Sequence, residues 1–146
     1  MSEGAAVRDP DDYAAEIGAA LFARDNVSRN LGMELLAVSE GFSKLAMPVT
    51  EEMMSGFGML HGGIVFTLAD SAFAFACNSR NEMHVALQCS ISFHASARPG
   101  EKLIATAQER SRTSRTGIYD IDVVTEDGRL VALFRGIPYR LNRSSI

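Results

Sequence analysis

Residues 61–79 read HGGIVFTLADSAFAFACNS. Ala and Leu favour helix, and the run is apolar on every side, the mark of a helix buried all round. Gly62 and Gly63 sit at its start, and Asn78 with Ser79 closes it. From Gly62 to Ser79 such a helix spans ~27 Å at 1.5 Å per residue. A chain carrying it must wrap it, and the rest of the sequence supplies strands to do so.

Val85, Leu87, Cys89, Ile91 and Phe93 alternate with Ala86, Gln88, Ser90, Ser92 and His94, a period of two. Arg98-Pro99-Gly100 makes a turn, and strands follow over 102–110, 117–125 and 129–141. Asp127-Gly128 joins the last two as a tight hairpin. Upstream, 33–38 and 42–49 form a hairpin about Ser39-Glu40-Gly41, with Pro48 at an edge or a strand end. Residues 51–60 read as a loop or a single turn. Ala14, Ile17, Leu21 and Phe22 predict a first helix over roughly 11–26, capped by Asp9 or Asp11 and ended by Asn30 and Gly32. Residues 1–10 are expected to fray. The order is helix, two strands, a long apolar helix, four strands. It predicts an α+β fold in which a curved antiparallel sheet wraps one central helix. The inner face is expected to carry Leu87, Ile91, Phe93, Tyr119, Ile121 and Val123. Such a sheet covers one side of the helix, and a second copy of the chain is the cheapest cover for the other.

Composition removes several classes of function. The 146 residues, 47% hydrophobic and 22% charged, fit one ordinary domain rather than a disordered chain or a disulfide scaffold. A net charge of −4 argues against nucleic acid as partner. Cys77 and Cys89 are too few for a disulfide framework and fit a cytoplasmic chain. No basic segment followed by an apolar one opens the sequence, and no apolar run is long enough to cross a membrane. His84 and His94 are isolated, so no metal site is expected. Cys77 has no helix N-terminus or cation near it in sequence and does not read as a nucleophile.

Asp70 is the only charged residue between His61 and Arg80. A carboxylate in a buried helix costs several kcal/mol unless it is paired or hydrogen-bonded. Either it caps the N–H groups of a loop, or it is a reactive carboxylate in a partly dry pocket. His61-Gly62-Gly63 opens the same helix, where unpaired N–H groups meet the positive end of the dipole. Gly62 allows close approach of a substrate, and the Gly63 N–H is a natural oxyanion donor. The two glycines also fit a plain loop-to-helix turn. Gly63 and Asp70 lie about two turns apart, ~10.5 Å, too far to act on one carbonyl from one helix. Two antiparallel copies bring each Asp70 to the other copy's Gly63.

HGGIVFTLADSAFAFACNS resembles the central motif of the hotdog-fold acyl-CoA thioesterases, in particular the phenylacetate-degradation (PaaI-type) group. TGIYDIDVV at 116–124 and LVALFRG at 130–136 resemble that group's closing strands, and the resemblance spans roughly residues 30–140. It implies a hotdog fold, a homodimer that often pairs into a homotetramer, and thioester hydrolysis with no metal or organic cofactor. By position it makes Asp70 the catalytic carboxylate and Gly63 the donor to the thioester carbonyl. His61 then shapes the loop or helps hold the carbonyl, and Ser71 binds the attacking water. Ser55 stands where the group commonly has Asn, with a shorter reach. The implied substrate is phenylacetyl-CoA or a ring-modified relative. Asp70 acts as general base or as nucleophile.

Met47, Met53, Met54, Phe57 and Met59 offer an adaptable acyl pocket or ordinary core. Arg110, Arg112 and Arg115 cluster beside Gly117, either as contacts for coenzyme A phosphates or as a solvated strand end. Two rival readings stand beside the thioesterase. A hotdog hydratase or dehydratase needs a His–acid pair, and Asp70 has no His partner on its helix. A non-catalytic acyl-CoA sensor normally carries a DNA-binding domain, for which 146 residues leave no room.

Overall fold

The computed structural model describes residues 6–146. Of the stretch expected to fray, residues 1–5 lie outside the described residues, and residues 6–9 run without regular structure into the first helix. That helix, α1 (Pro10–Arg24), is capped by the Asp9 carboxylate, which accepts from the N–H of Asp11 at 2.8 Å. The single helix expected over 11–26 is in fact two. Asp25 takes an extended backbone, ends α1, and caps a second short helix, α2 (Asn26–Asn30). Its side chain accepts from the Ser28 N–H at 3.0 Å, so the same residue breaks one helix and starts the next.

Six strands follow: β1 (Glu34–Ser39), β2 (Phe42–Pro48), β3 (His84–Phe93), β4 (Lys102–Arg112), β5 (Gly117–Thr125) and β6 (Leu130–Arg140). They form one sheet in the order β1-β2-β4-β5-β6-β3, and every pairing is antiparallel. Pro48 ends β2 opposite Lys102, a strand end inside the sheet rather than an edge. The apolar run forms α3 (Gly62–Cys77), preceded by a 3-10 turn at Glu51–Met53. The sheet curls about α3 and buries its Val65, Leu68, Ala69, Ala72, Phe73 and Ala76 against Leu45, Leu103, Tyr119, Ile121, Val123 and Phe134. Ser43, fully buried, ties β2 to the helix by donating its hydroxyl to the Ala72 carbonyl at 2.5 Å. At the far end of α3, Arg80 donates to Glu40 and Glu109 at 2.7 Å each, and the Tyr119 hydroxyl donates to Glu109 at 2.5 Å.

Two expectations about packing change. Leu87 does not face the core: a β-bulge between Ala86 and Gln88 shifts the alternation, and Leu87 is 61% exposed. Cys89 and Ile91 take the inward places, only partly buried, and Phe93 is 56% exposed. Nor is α3 covered all round. Gly63 and Ala74 are exposed and Thr67, Asp70 and Ser71 half-buried, a stripe that recurs at helical spacing along one face. The sheet therefore leaves open the side of α3 that carries Asp70, and β3 beside it is an edge strand.

Gly136 on β6 shows how tightly the wrapped side packs. A Cβ there meets two ring carbons of Phe73 at 2.7 Å. Phe73 is itself held against Tyr119 and Phe134, with ring centroids 5.7 Å and 6.0 Å away. Gly136→Ala is expected to lower stability by about 1–3 kcal/mol through overpacking. Urea unfolding followed by circular dichroism checks it, and an unchanged midpoint contradicts the packing described.

Candidate active site

The site assembles on the uncovered face of α3. His61 is its N-cap: the backbone is extended and Nδ1 accepts from the Gly63 N–H at 3.0 Å. In a neutral ring the proton therefore sits on Nε2. The N–H groups of Ile64 and Val65 both turn to the His61 carbonyl, at 3.0 and 3.4 Å. Of the amides that open the helix, Gly62 alone donates to no acceptor among the described residues. The donor expected at Gly63 is thus corrected. His61 has already taken that N–H, and the unspent one belongs to Gly62. Gly62 is half-buried, and a Cβ on it meets the Phe93 ring at 3.1 Å.

Asp70 lies eight residues further along, about 12 Å by helix rise. Its half-buried carboxylate accepts no hydrogen bond from the described residues, so the loop-capping alternative finds no N–H to cap. Burial, the larger cause, and the negative charge of Asp25 both raise its pKa above the ordinary carboxylate value. The Ser71 hydroxyl is engaged, 2.8 Å from Ser28 Oγ, which donates to Asp25 at 2.6 Å. Burial pushes the Cys77 thiol far above its usual range, which keeps it protonated and unreactive.

The other sequence candidates divide. Ser55 opens a turn in which its Oγ accepts from the Phe57 N–H at 3.3 Å, leaving its own proton to donate. Phe57, at the tip of that turn, is 92% exposed, while Met47 and Met53 are core. Arg112 donates to Glu82 at 3.1 Å and Arg115 to Asn142 at 2.8 Å. Glu82 lies beyond the carboxyl end of α3, so the structure does not bring these arginines to Gly62 of the same chain. A cleft of about 320 Å³ does open at Gly62, walled by Leu60, Val65 and Phe93. Through Met59 and Ser96 it adjoins a second of about 570 Å³ that holds Arg98 and Arg129. Arg98-Pro99-Gly100 looked like a turn and nothing more, because a basic residue in a turn gives no sign of which cleft it borders.

A curved antiparallel sheet around one helix, with a carboxylate and a free helix-start amide on that helix, defines a hotdog-fold protein built for acyl-thioester chemistry. The chain belongs to the thioesterase superfamily, whose model matches residues 57–132. It is 42% identical over 122 residues to the acyl-coenzyme A thioesterase PaaI of Escherichia coli K12, covering 84% of this chain and 87% of that one. It superposes on the structure of the E. coli PaaI protein from the phenylacetic acid degradation operon with a TM-score of 0.91 and 38% identity, covering 93% of this chain and 99% of that one. A mutant of the phenylacetic acid degradation protein PaaI from Thermus thermophilus matches with a TM-score of 0.77 and 38% identity, over 80% of this chain and 100% of that one.

Two consequences are measurable. His61→Ala frees the Gly63 amide and is expected to cost about 0.5–2 kcal/mol, while His61→Asn, itself a good cap, restores most of it. Thermal unfolding of the pair checks this. Asp70 binds its proton more tightly folded than unfolded, so the fold loses stability as pH rises from 3.8 through the raised value. Asp70→Asn lacks that loss. It is expected to be more stable than wild type near neutral pH, with the difference disappearing in acid.

Proposed function

We propose that the chain is an acyl-CoA thioesterase, hydrolysing an aryl-acetyl-CoA of the phenylacetyl-CoA kind to the free acid and coenzyme A. The observation that carries the reading is a carboxylate, Asp70, and a helix-start amide, Gly62, on one helix, neither with a hydrogen-bond partner among the described residues. The names of the E. coli and Thermus relatives support the acyl-CoA and phenylacetate parts of it.

Asp70, with its raised proton affinity, takes a proton from water as the water oxygen bonds to the thioester carbonyl carbon. The carbonyl oxygen becomes an oxyanion, held by the Gly62 N–H at the positive end of α3. When that intermediate collapses, the C–S bond breaks and the proton held by Asp70 passes to the leaving sulfur, so coenzyme A departs as the thiol. His61 shapes the donor by occupying Gly63, and Ser55, in the turn that leads into the helix, has a hydroxyl proton to offer the substrate. The nucleophilic alternative, an Asp70 anhydride, is separated by single turnover in ¹⁸O-water: label entering Asp70 marks it.

About 12 Å of helix separates Gly62 from Asp70, so a complete site takes Asp70 from one copy and Gly62 from another. A homodimer that stacks two α3 helices antiparallel supplies both. β3 suits that interface, since it is a ten-residue edge strand on which Val85, Leu87 and Phe93 are each more than 40% exposed. The partner's Arg112 and Arg115 then approach the Gly62 end, opposite Arg98 and Arg129, where coenzyme A phosphates are received. The resemblance to the phenylacetate-degradation group supports a further pairing of dimers into a homotetramer. Free Cys77 and Cys89 suit the cytoplasm, and no described helix is long and apolar enough to cross a membrane.

Asp70→Asn is expected to fold and to lose roughly 10²–10⁴-fold in kcat on phenylacetyl-CoA. Near-normal turnover overturns the assignment. Gly62→Val blocks the donor edge, so each homodimer is nearly inactive. Co-folded heterodimers of Gly62→Val and Asp70→Asn collect both lesions in one site and recover about half the activity per dimer. No recovery in a heterodimer confirmed by mass overturns the shared site.

A further inference from the structure

Asp25 uses both carboxylate oxygens on one residue. Its Oδ1 accepts the Ser28 N–H at 3.0 Å, and its Oδ2 accepts the Ser28 hydroxyl at 2.6 Å. Ser28 is fully buried, and its Oγ lies 2.8 Å from Ser71 Oγ. A hydroxyl has one proton to give. Ser28 gives its proton to the carboxylate, so the bond to Ser71 is made by the proton of Ser71. The direction of the whole relay follows: Ser71 donates to Ser28, and Ser28 donates to Asp25. Ser71 adjoins Asp70 in sequence, and all it has left to offer is lone pairs.

We propose that Asp25 is a positioning residue for the reaction: through Ser28 it makes Ser71 a pure acceptor beside Asp70. A water held there points one O–H at Ser71 and the other at Asp70, and keeps a lone pair for the thioester carbonyl. The inference rests on the reading of Asp70 as the reacting carboxylate, and it gives the expected Ser71–water contact a fixed polarity.

The surroundings do not neutralise Asp25. It lines a chamber of about 600 Å³ with Arg24, His84 and Arg143. Arg24 donates instead to the Ser145 carbonyl at 2.9 Å, Arg143 to the Met83 sulfur at 2.9 Å, and His84 Nδ1 is 2.7 Å from the Glu82 carbonyl. Among the described residues no ion pair is made to Asp25. The other titratable groups facing Asp70 are the thiols of Cys77 and Cys89, and burial keeps both protonated. Burial is the larger cause of the raised proton affinity of Asp70, and the uncompensated charge that orders the relay adds to it.

Asp25→Asn tests this with little change of shape. Its carbonyl still accepts the Ser28 N–H, but its amide now donates to Ser28 Oγ, so Ser28 must donate to Ser71 and the relay reverses. The expected result is a fall in kcat of roughly tenfold or more with KM near wild type. Ser71→Ala is expected to fall similarly, and the double variant no further than either single one, because both break one relay. Independently of turnover, the ¹³C carboxyl resonance of Asp70, assigned by its loss in Asp70→Asn, is expected to titrate at lower pH in Asp25→Asn. Additive losses, or an unmoved titration, overturn the proposal. A wild type that hydrolyses no acyl-CoA, with the Asp70 titration still shifted, overturns the thioesterase reading and retains the coupling.

Discussion

A helix as apolar as α3 has to be covered over most of its surface, and the single sheet of this chain covers only part of it. The wrapped side is packed closely enough that Gly136 lies under the Phe73 ring with no space for a methyl group. The other side keeps a stripe of small and polar residues, Gly63, Thr67, Asp70 and Ala74, none of them fully buried. A carboxylate is tolerable there and nowhere else on the helix. Anywhere on the wrapped side it would stand unpaired in hydrocarbon, at a cost of several kcal/mol. The incompleteness of the wrapping is what leaves room for a half-buried carboxylate on an otherwise apolar helix.

The start of α3 divides its amides by capping geometry. His61 could have left the Gly63 N–H open. Instead its Nδ1 accepts a hydrogen bond from that N–H, and the His61 carbonyl accepts those of Ile64 and Val65. One donor remains at the positive end of the dipole, on a residue with no side chain to stand in the way. Asp70 has the complementary character, a half-buried acceptor with no internal donor and a raised affinity for a proton. Among the described residues neither group has a hydrogen-bond partner. A thioester carbonyl, with an electron-rich oxygen and an electrophilic carbon, needs one of each.

Much of this was legible in the sequence. The apolar run announced the central helix, the alternation marked the strands, and the lone charge singled out Asp70. Register details were not, because they depend on partners distant in the chain. Leu87 has the right phase for the core, and a bulge opposite β6 turns it out. Gly62 and Gly63 look equivalent on paper, and only the rotamer of His61 separates them. Asp25 carries no signal in the sequence that sets it apart from the other polar residues near the end of the first helix. Its link to Ser71 runs through Ser28, which contacts a residue 43 positions away, a juxtaposition without any local signature.

Periodicity and composition act over a few neighbouring residues. They are enough to say which elements form, which helix is central and which carboxylate is expensive. Folding in three dimensions settles which face of α3 stays open, which glycine keeps its proton, and which way the Ser71 hydroxyl points. Those are outcomes of competition among donors and acceptors brought together by the fold. A hydroxyl or amide has one proton to donate, and which acceptor it serves is decided only when the candidates stand within about 3 Å.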